Sequence, residues 1–168
     1  MSVPLMLGGV EFLLHAGAPE LNEDAIGGEG DVRLSNGTLV SMTRWSKASG
    51  TISVQGWIQP GIDALDFTQI MELRSTQVHT AQQAGLVFEL TSTPRPDQVP
   101  WAWAVVDGEL VPAEVSTVGR TATVTAVAGA TSYQVWWMPV YQVKARRPSK
   151  SQSGSAGTQA AVISWVEA

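Results

Sequence analysis

Apolar and polar positions alternate with a period of two along much of this chain, and turn-forming pairs separate the alternating runs. The clearest case is Asp31 to Trp45. Val32 and Leu34 alternate with polar or charged neighbours, Asn36-Gly37 follows, and Thr38 to Trp45 returns. An Asn-Gly pair favours a two-residue type I′ turn, so this segment is expected to be a hairpin. Thr51 to Ile58 places Ile52, Val54 and Gly56 on one face and Thr51, Ser53, Gln55 and Trp57 on the other. Pro60-Gly61 breaks that strand, Ile62 to Phe67 has the spacing of a helical turn, and Ile70 to Gln77 resumes as a strand.

Around this centre the pattern is coarser. Leu5 to Leu14 is apolar with Gly8-Gly9 inside it, which suggests a strand with a bulge. Residues 15–30 are rich in Gly, Ala and acids and are expected to form a loop, and His79 to Ala84 a short helix or loop. Leu86 to Leu90 predicts a short strand, and the three prolines between Thr93 and Pro100 a loop. Asp107-Gly108 joins Trp101–Val106 to Glu109–Val115 as a second hairpin, and Arg120 to Val127 alternates again. Tyr133 to Lys144 predicts one long strand kinked at Pro139, Pro148 to Gly157 a Ser/Gly-rich mobile loop, and Ala160 to Val166 a final strand. Nine to eleven strands at this spacing predict an all-β fold. The expected form is an antiparallel β-sandwich or split barrel with long hairpins and little helix. The organisation expected is one β domain over 1–168, with a hairpin arm near 133–166 holding a mobile loop at 145–159.

Composition narrows the chemistry. With 168 residues the chain is long enough to bury a core without staples, and with no cysteine it has no disulfide, thiolate or zinc-cysteine chemistry. The start, MSVPLMLGGVEFLLHAG, has no Lys or Arg ahead of its apolar residues and includes Pro4 and Glu11, so no signal peptide is expected. No apolar run approaches the roughly 20 residues of a membrane helix. The net charge of −5 is unevenly spread: Glu11, Glu20, Glu23, Asp24, Glu29 and Asp31 precede the first basic residue, while Lys144, Arg146, Arg147 and Lys150 cluster near the other end. An acidic chain with one short basic loop argues against nucleic-acid binding. Either the loop is simply solvated, or an acidic patch of one subunit meets a basic patch of the next.

No pattern carries catalysis. His15 and His79 lack a second ligand at metal spacing, and His79 is expected to be a solvated side chain. Asp63 and Asp66 could form a hydrolytic carboxylate pair, but cap a turn more simply. There is no nucleophile elbow and no dinucleotide fingerprint. The seven tryptophans are the remaining candidates. Trp101 and Trp103, two apart on a strand, share a face, whereas Trp136 and Trp137 face opposite ways. Trp45, Trp57 and one of Trp136 and Trp137 are assigned to the core and the others to an interface. The candidate interface is therefore Trp101, Trp103, Lys144, Arg146, Arg147 and Lys150, with no catalytic, metal or cofactor-binding residue.

The stretch RLSNGTLV, TRWSK, TISVQGWIQPGIDALDF and MELR, together with the late strand YQVWWMPVYQV, resembles small structural proteins from the tail tip of long-tailed bacteriophages, of the distal tail protein type. That resemblance implies a non-enzymatic virion protein, without a cofactor, assembled in the host cytoplasm. It would form a ring with copies of itself and join the tail tube to the hub or baseplate. Its contact with host-surface glycans would be indirect, through receptor-binding parts. The alternative is a carbohydrate-binding β-sandwich module with Trp101 and Trp103 as an exposed platform; a small hydrolase ranks third.

Overall fold

The computed structural model describes residues 3–13 and 17–168, so His15 and the end of the Leu5–Leu14 segment lie outside the described residues. The protein is all-β: strands make up 60% of it, the sheets are antiparallel, and the described residues form no closed barrel. Among the described residues helix is limited to one 3-10 turn, Ile62–Ala64, where a helical turn is expected. The chain groups into two compact units, one of residues 1–11 and 72–141 and the other of 12–71 and 142–168.

The first unit begins with β1 (Met6–Leu7) and β2 (Val10–Glu11), paired antiparallel, with β1 also pairing with β5 (Met71–Arg74). Gly8 and Gly9 both have positive φ, so they close a tight hairpin turn rather than forming the expected bulge. The rest of the unit is a two-sheet sandwich. β7 (Val87–Glu89), β10 (Val115–Val118) and β11 (Thr121–Val124) form a three-stranded sheet in the order β10-β11-β7. β6 (His79–Gln83), β8 (Trp101–Val106), β9 (Glu109–Ala113) and β12 (Ala130–Trp137) form a four-stranded sheet in the order β6-β12-β8-β9. Their inner faces meet in one core: Phe88 and Leu90, Ala122 and Val124, Ala102 and Ala104, Tyr133, Val135 and Trp137.

On the inner face of the four-stranded sheet, small Ala102 and Ala104 of β8 lie directly beside large Val135 and Tyr133 of the neighbouring β12. At the turn into β12, the Tyr133 hydroxyl accepts a hydrogen bond from the Val127 amide at 3.1 Å, a corner brace used by Greek-key sandwiches. His79–Gln83 is β-strand, where a short helix or loop over His79–Ala84 is expected. His79 is half-buried rather than solvated: its ring lies edge-on to Trp137 with centroids 5.6 Å apart, and Trp137 Nε1 donates to Ser92 Oγ at 2.9 Å.

The second unit is built on β3 (Glu20–Arg33), β4 (Leu39–Gly56) and β15 (Thr158–Glu167), in the order β15-β4-β3. β13 (Val140–Ala145) and β14 (Ser149–Ser153) both pair with β15 along its other edge. Leu21 pairs with Ile52 and Ile52 with Ile163, so alternate residues of these strands supply Ile52, Val54, Ala161, Ile163 and Trp165 to the buried face. Three sequence expectations change here. Residues 20–30 belong to a strand rather than a loop, because an edge strand tolerates acids and glycines when its partner is strong. Residues 149–153 are strand too, since Ser, Lys and Gln side chains leave the backbone free to pair. The long strand Tyr133–Lys144 is two strands, β12 and β13, because Pro139 has no N–H to continue a ladder.

Candidate functional site

On the outer face of the four-stranded sheet the register sets Trp136 opposite Trp101 and Gln134 opposite Trp103. Trp136 therefore lies against both other rings, with centroids 6.2 Å from Trp101 and 6.1 Å from Trp103 and planes tilted by 59° and 58°. A polar string runs beside this aromatic ridge. Trp136 Nε1 donates to Gln134 Oε1 at 3.1 Å, Gln134 Nε2 to Gln82 Oε1 at 3.0 Å, and Gln82 Nε2 to Ser132 Oγ at 3.1 Å. Trp103 Nε1 is shielded from solvent without a hydrogen-bond partner. Trp101 and Trp103 share a face, as the spacing predicts. The third ring, Trp136, was legible only as one of a pair with Trp137 that faces opposite ways. Its meeting with the other two depends on a cross-strand register that sequence does not carry.

The tryptophan assignment to the core is otherwise corrected. Trp137 is buried, as one of that pair should be, but Trp45 is 49% exposed and Trp57 78%. Trp165, assigned to an interface, is 1% exposed and fills the core of the second unit. Trp45 lies over Gly28, where an added Cβ would come within 2.5 Å of its Nε1.

The basic residues belong to the second unit and the aromatic ridge to the first. Lys144, on β13, donates to the Thr68 carbonyl, and Lys150, on β14, pairs with the Asp63 carboxylate. Arg146 and Arg147 are exposed in the link between those strands. Asp66 accepts from the Thr68 amide at 2.9 Å and its hydroxyl at 2.6 Å. These bonds hold its carboxyl below the usual range, unlike a hydrolytic acid. Asp63 and Asp66 thus serve an ion pair and a turn, and neither caps the 3-10 turn through its side chain. Among the described residues no group of three or more His, Asp or Glu is placed to hold a metal ion, and no helix is long and apolar enough to cross a membrane.

A third surface was missed by sequence reasoning. Past a bulge between Gly27 and Glu29, β3 and β4 continue together to the turn at Ser35–Gly37 and are exposed throughout. Val32 pairs with Val40 and Gly30 with Met42, so Val32, Leu34, Val40 and Met42 share one face, each 36–51% exposed. Asp31 pairs with Ser41 and Arg33 with Leu39 on the more polar face. The alternation that predicts a half-buried strand is therefore real, but the described residues of its own unit leave the apolar side uncovered. The expected two-residue type I′ turn at Asn36-Gly37 is also corrected. Gly37 N donates to Leu34 O at 2.8 Å, and only Gly37 of the pair has positive φ, the three-residue hairpin loop with a glycine bulge. The type I′ geometry occurs instead at Asp107-Gly108, where both φ angles are positive.

Comparison with protein-family models, with curated proteins and with solved structures returns no match.

Proposed function

We propose that this chain is a structural, self-assembling virion protein of the tail tip of a long-tailed bacteriophage, which acts by building a ring between tail tube and hub rather than by catalysis. The observation that carries the reading is the β3–β4 arm. A two-stranded hairpin alone in water is marginal. The outer part of this one extends about 20 Å at 3.3 Å per residue, with one face made of Val32, Leu34, Val40 and Met42. Such a face is stable and soluble when another surface covers it, and a heterologous contact between copies closes into a ring when its rotation fits. The resemblance of residues 31–74 to tail-tip proteins supports the same reading. The test is light scattering and particle imaging of the purified chain beside Val40→Lys with Met42→Lys. The parent should form discrete oligomers and the variant a folded monomer. Equal assembly of the two would remove the arm from the argument, and a parent that stays monomeric at high concentration would remove the reading itself.

One observation favours the carbohydrate-binding reading. The ridge of Trp101, Trp136 and Trp103 beside the Gln134–Gln82 string combines ring faces with amide groups, which suits stacking and hydroxyl recognition of a sugar. On a glycan array, binding by the parent that disappears in Trp101→Ala with Trp103→Ala, while circular dichroism is unchanged, would establish that reading.

A further inference from the structure

The second unit's sheet has two open edges of opposite charge. On one side β3 pairs, among the described residues, only with β4, and it carries Glu20 and Asp24, both exposed and in line with Asn22 on one face. On the other side β14 pairs, among the described residues, only with β15, and its residues from Ser149 to Gln152 are exposed. Beside it Arg146 and Arg147 are exposed. Lys150 adds to the same edge, with its head group turned to Asp63. An open strand edge is a row of unsatisfied backbone groups ready to pair with another strand.

We propose that the acidic β3 edge of one copy docks against the basic β14 edge of the next, and that this charge difference makes assembly head-to-tail. The inference rests on the assembly reading and specifies the partner as a second copy of this chain. Two β3 edges would bring Glu20 and Asp24 against their own kind, and two β14 edges would do the same with Arg146 and Arg147. Only the unlike pairing is attractive, and it is heterologous, the class of contact that forms rings or filaments. A purely protective role for the same charges, keeping open edges apart, makes the opposite prediction.

The experiment is a charge swap, read by light scattering at low salt with circular dichroism as the check on folding. Arg146→Glu with Arg147→Glu gives two acidic edges, and Glu20→Lys with Asp24→Lys gives two basic ones. Each variant should assemble at least tenfold more weakly than the parent. An equimolar mixture of the two, and a chain carrying all four changes, should recover assembly. Assembly by either single swap at the parent's strength overturns the proposal, as does failure of both the mixture and the fourfold variant to recover while folded. The neutral pair Arg146→Gln with Arg147→Gln decides the case in which a swapped edge does not fold. It should weaken assembly several-fold, and unchanged or stronger assembly would show that the charges are protective. A parent that is monomeric under all conditions defeats the assembly reading itself, whereas a parent that assembles regardless of the swaps defeats only this inference.

Discussion

Arg95 shows what one side chain can organise in the first unit. It is buried, and its guanidinium holds Asp97 through two bonds of 2.6 and 2.8 Å. It also donates to the Ser75 and Pro4 carbonyls, each at 3.0 Å. Arg74 bridges Asp97 and Glu72 beside it. A single planar fork thus ties the start of the described chain to β5 and to the proline-rich loop. Arg95→Met should lower stability by roughly 2–4 kcal/mol, because two carbonyls lose their donor. The Arg95 guanidinium also holds the Asp97 carboxyl well below its ordinary value of 3.8. A carboxyl whose folded pKa is depressed stabilises the fold above its unfolded pKa, and that contribution is lost as pH falls below it. The urea midpoint of the parent should therefore fall more between pH 6 and pH 3 than that of Asp97→Asn. None of this was legible in the sequence. Arg95 stands in a segment of three prolines that looks like plain loop, and its partners lie as far away as Pro4.

At the scale of the element, the hairpins were legible and their environments were not. Asx-Gly pairs mark both turns, and alternation marks Trp101–Val106 and Thr51–Gly56, because turn chemistry and period two are local properties. What alternation cannot say is whether the apolar side is covered. Val32 and Leu34 carry the same signal as Ile52 and Val54, yet the first pair is half-exposed and the second buried. Composition misled in the other direction at β3 and β14, where acids, glycines and serines suggested loops, although an edge strand needs only its backbone. Two glycines separate the sheet from its arm in a testable way. A Cβ at Gly50 would lie 1.9 Å from the Asn22 carbonyl oxygen, whereas one at Gly30 meets nothing within 4 Å. Gly50→Ala should therefore force β3 away from β4 and destabilise the second unit by more than about 2 kcal/mol. Gly30→Ala should be neutral or stabilising by up to about 1 kcal/mol. Urea melts of both variants check the contrast.

For the whole molecule, the net charge of −5 conceals its distribution. The acidic and basic edges belong to one sheet, while the aromatic ridge belongs to the other unit. The candidate residues singled out in sequence thus divide between two surfaces, a division that spacing in the chain could not show. Arm and edges should also answer salt differently. Raising sodium chloride from 50 to 500 mM shortens the Debye length from about 14 to 4 Å, which weakens exposed charge pairs and leaves apolar burial intact. Oligomers held by the edges should dissociate over that range by sedimentation, and oligomers held by the arm should persist.

The pairing of β4 with β15 also has a consequence in time. The Gln59 side chain, just past β4, reaches the Ala160 carbonyl on β15 across 101 residues of sequence. Every residue of the sandwich from β6 to β12 is synthesised between those two strands. At about 5–20 residues per second, the β3–β4 hairpin must wait several seconds or longer for the strand that completes its sheet, while the sandwich already has its own core. During that interval Ile52 and Val54 lack Ile163 and Ala161, their lateral neighbours on the buried face. The nascent chain thus passes through a stage with one finished unit and one sticky hairpin. That is the stage at which a chaperone, or a neighbouring copy arriving too early, would make the most difference to yield.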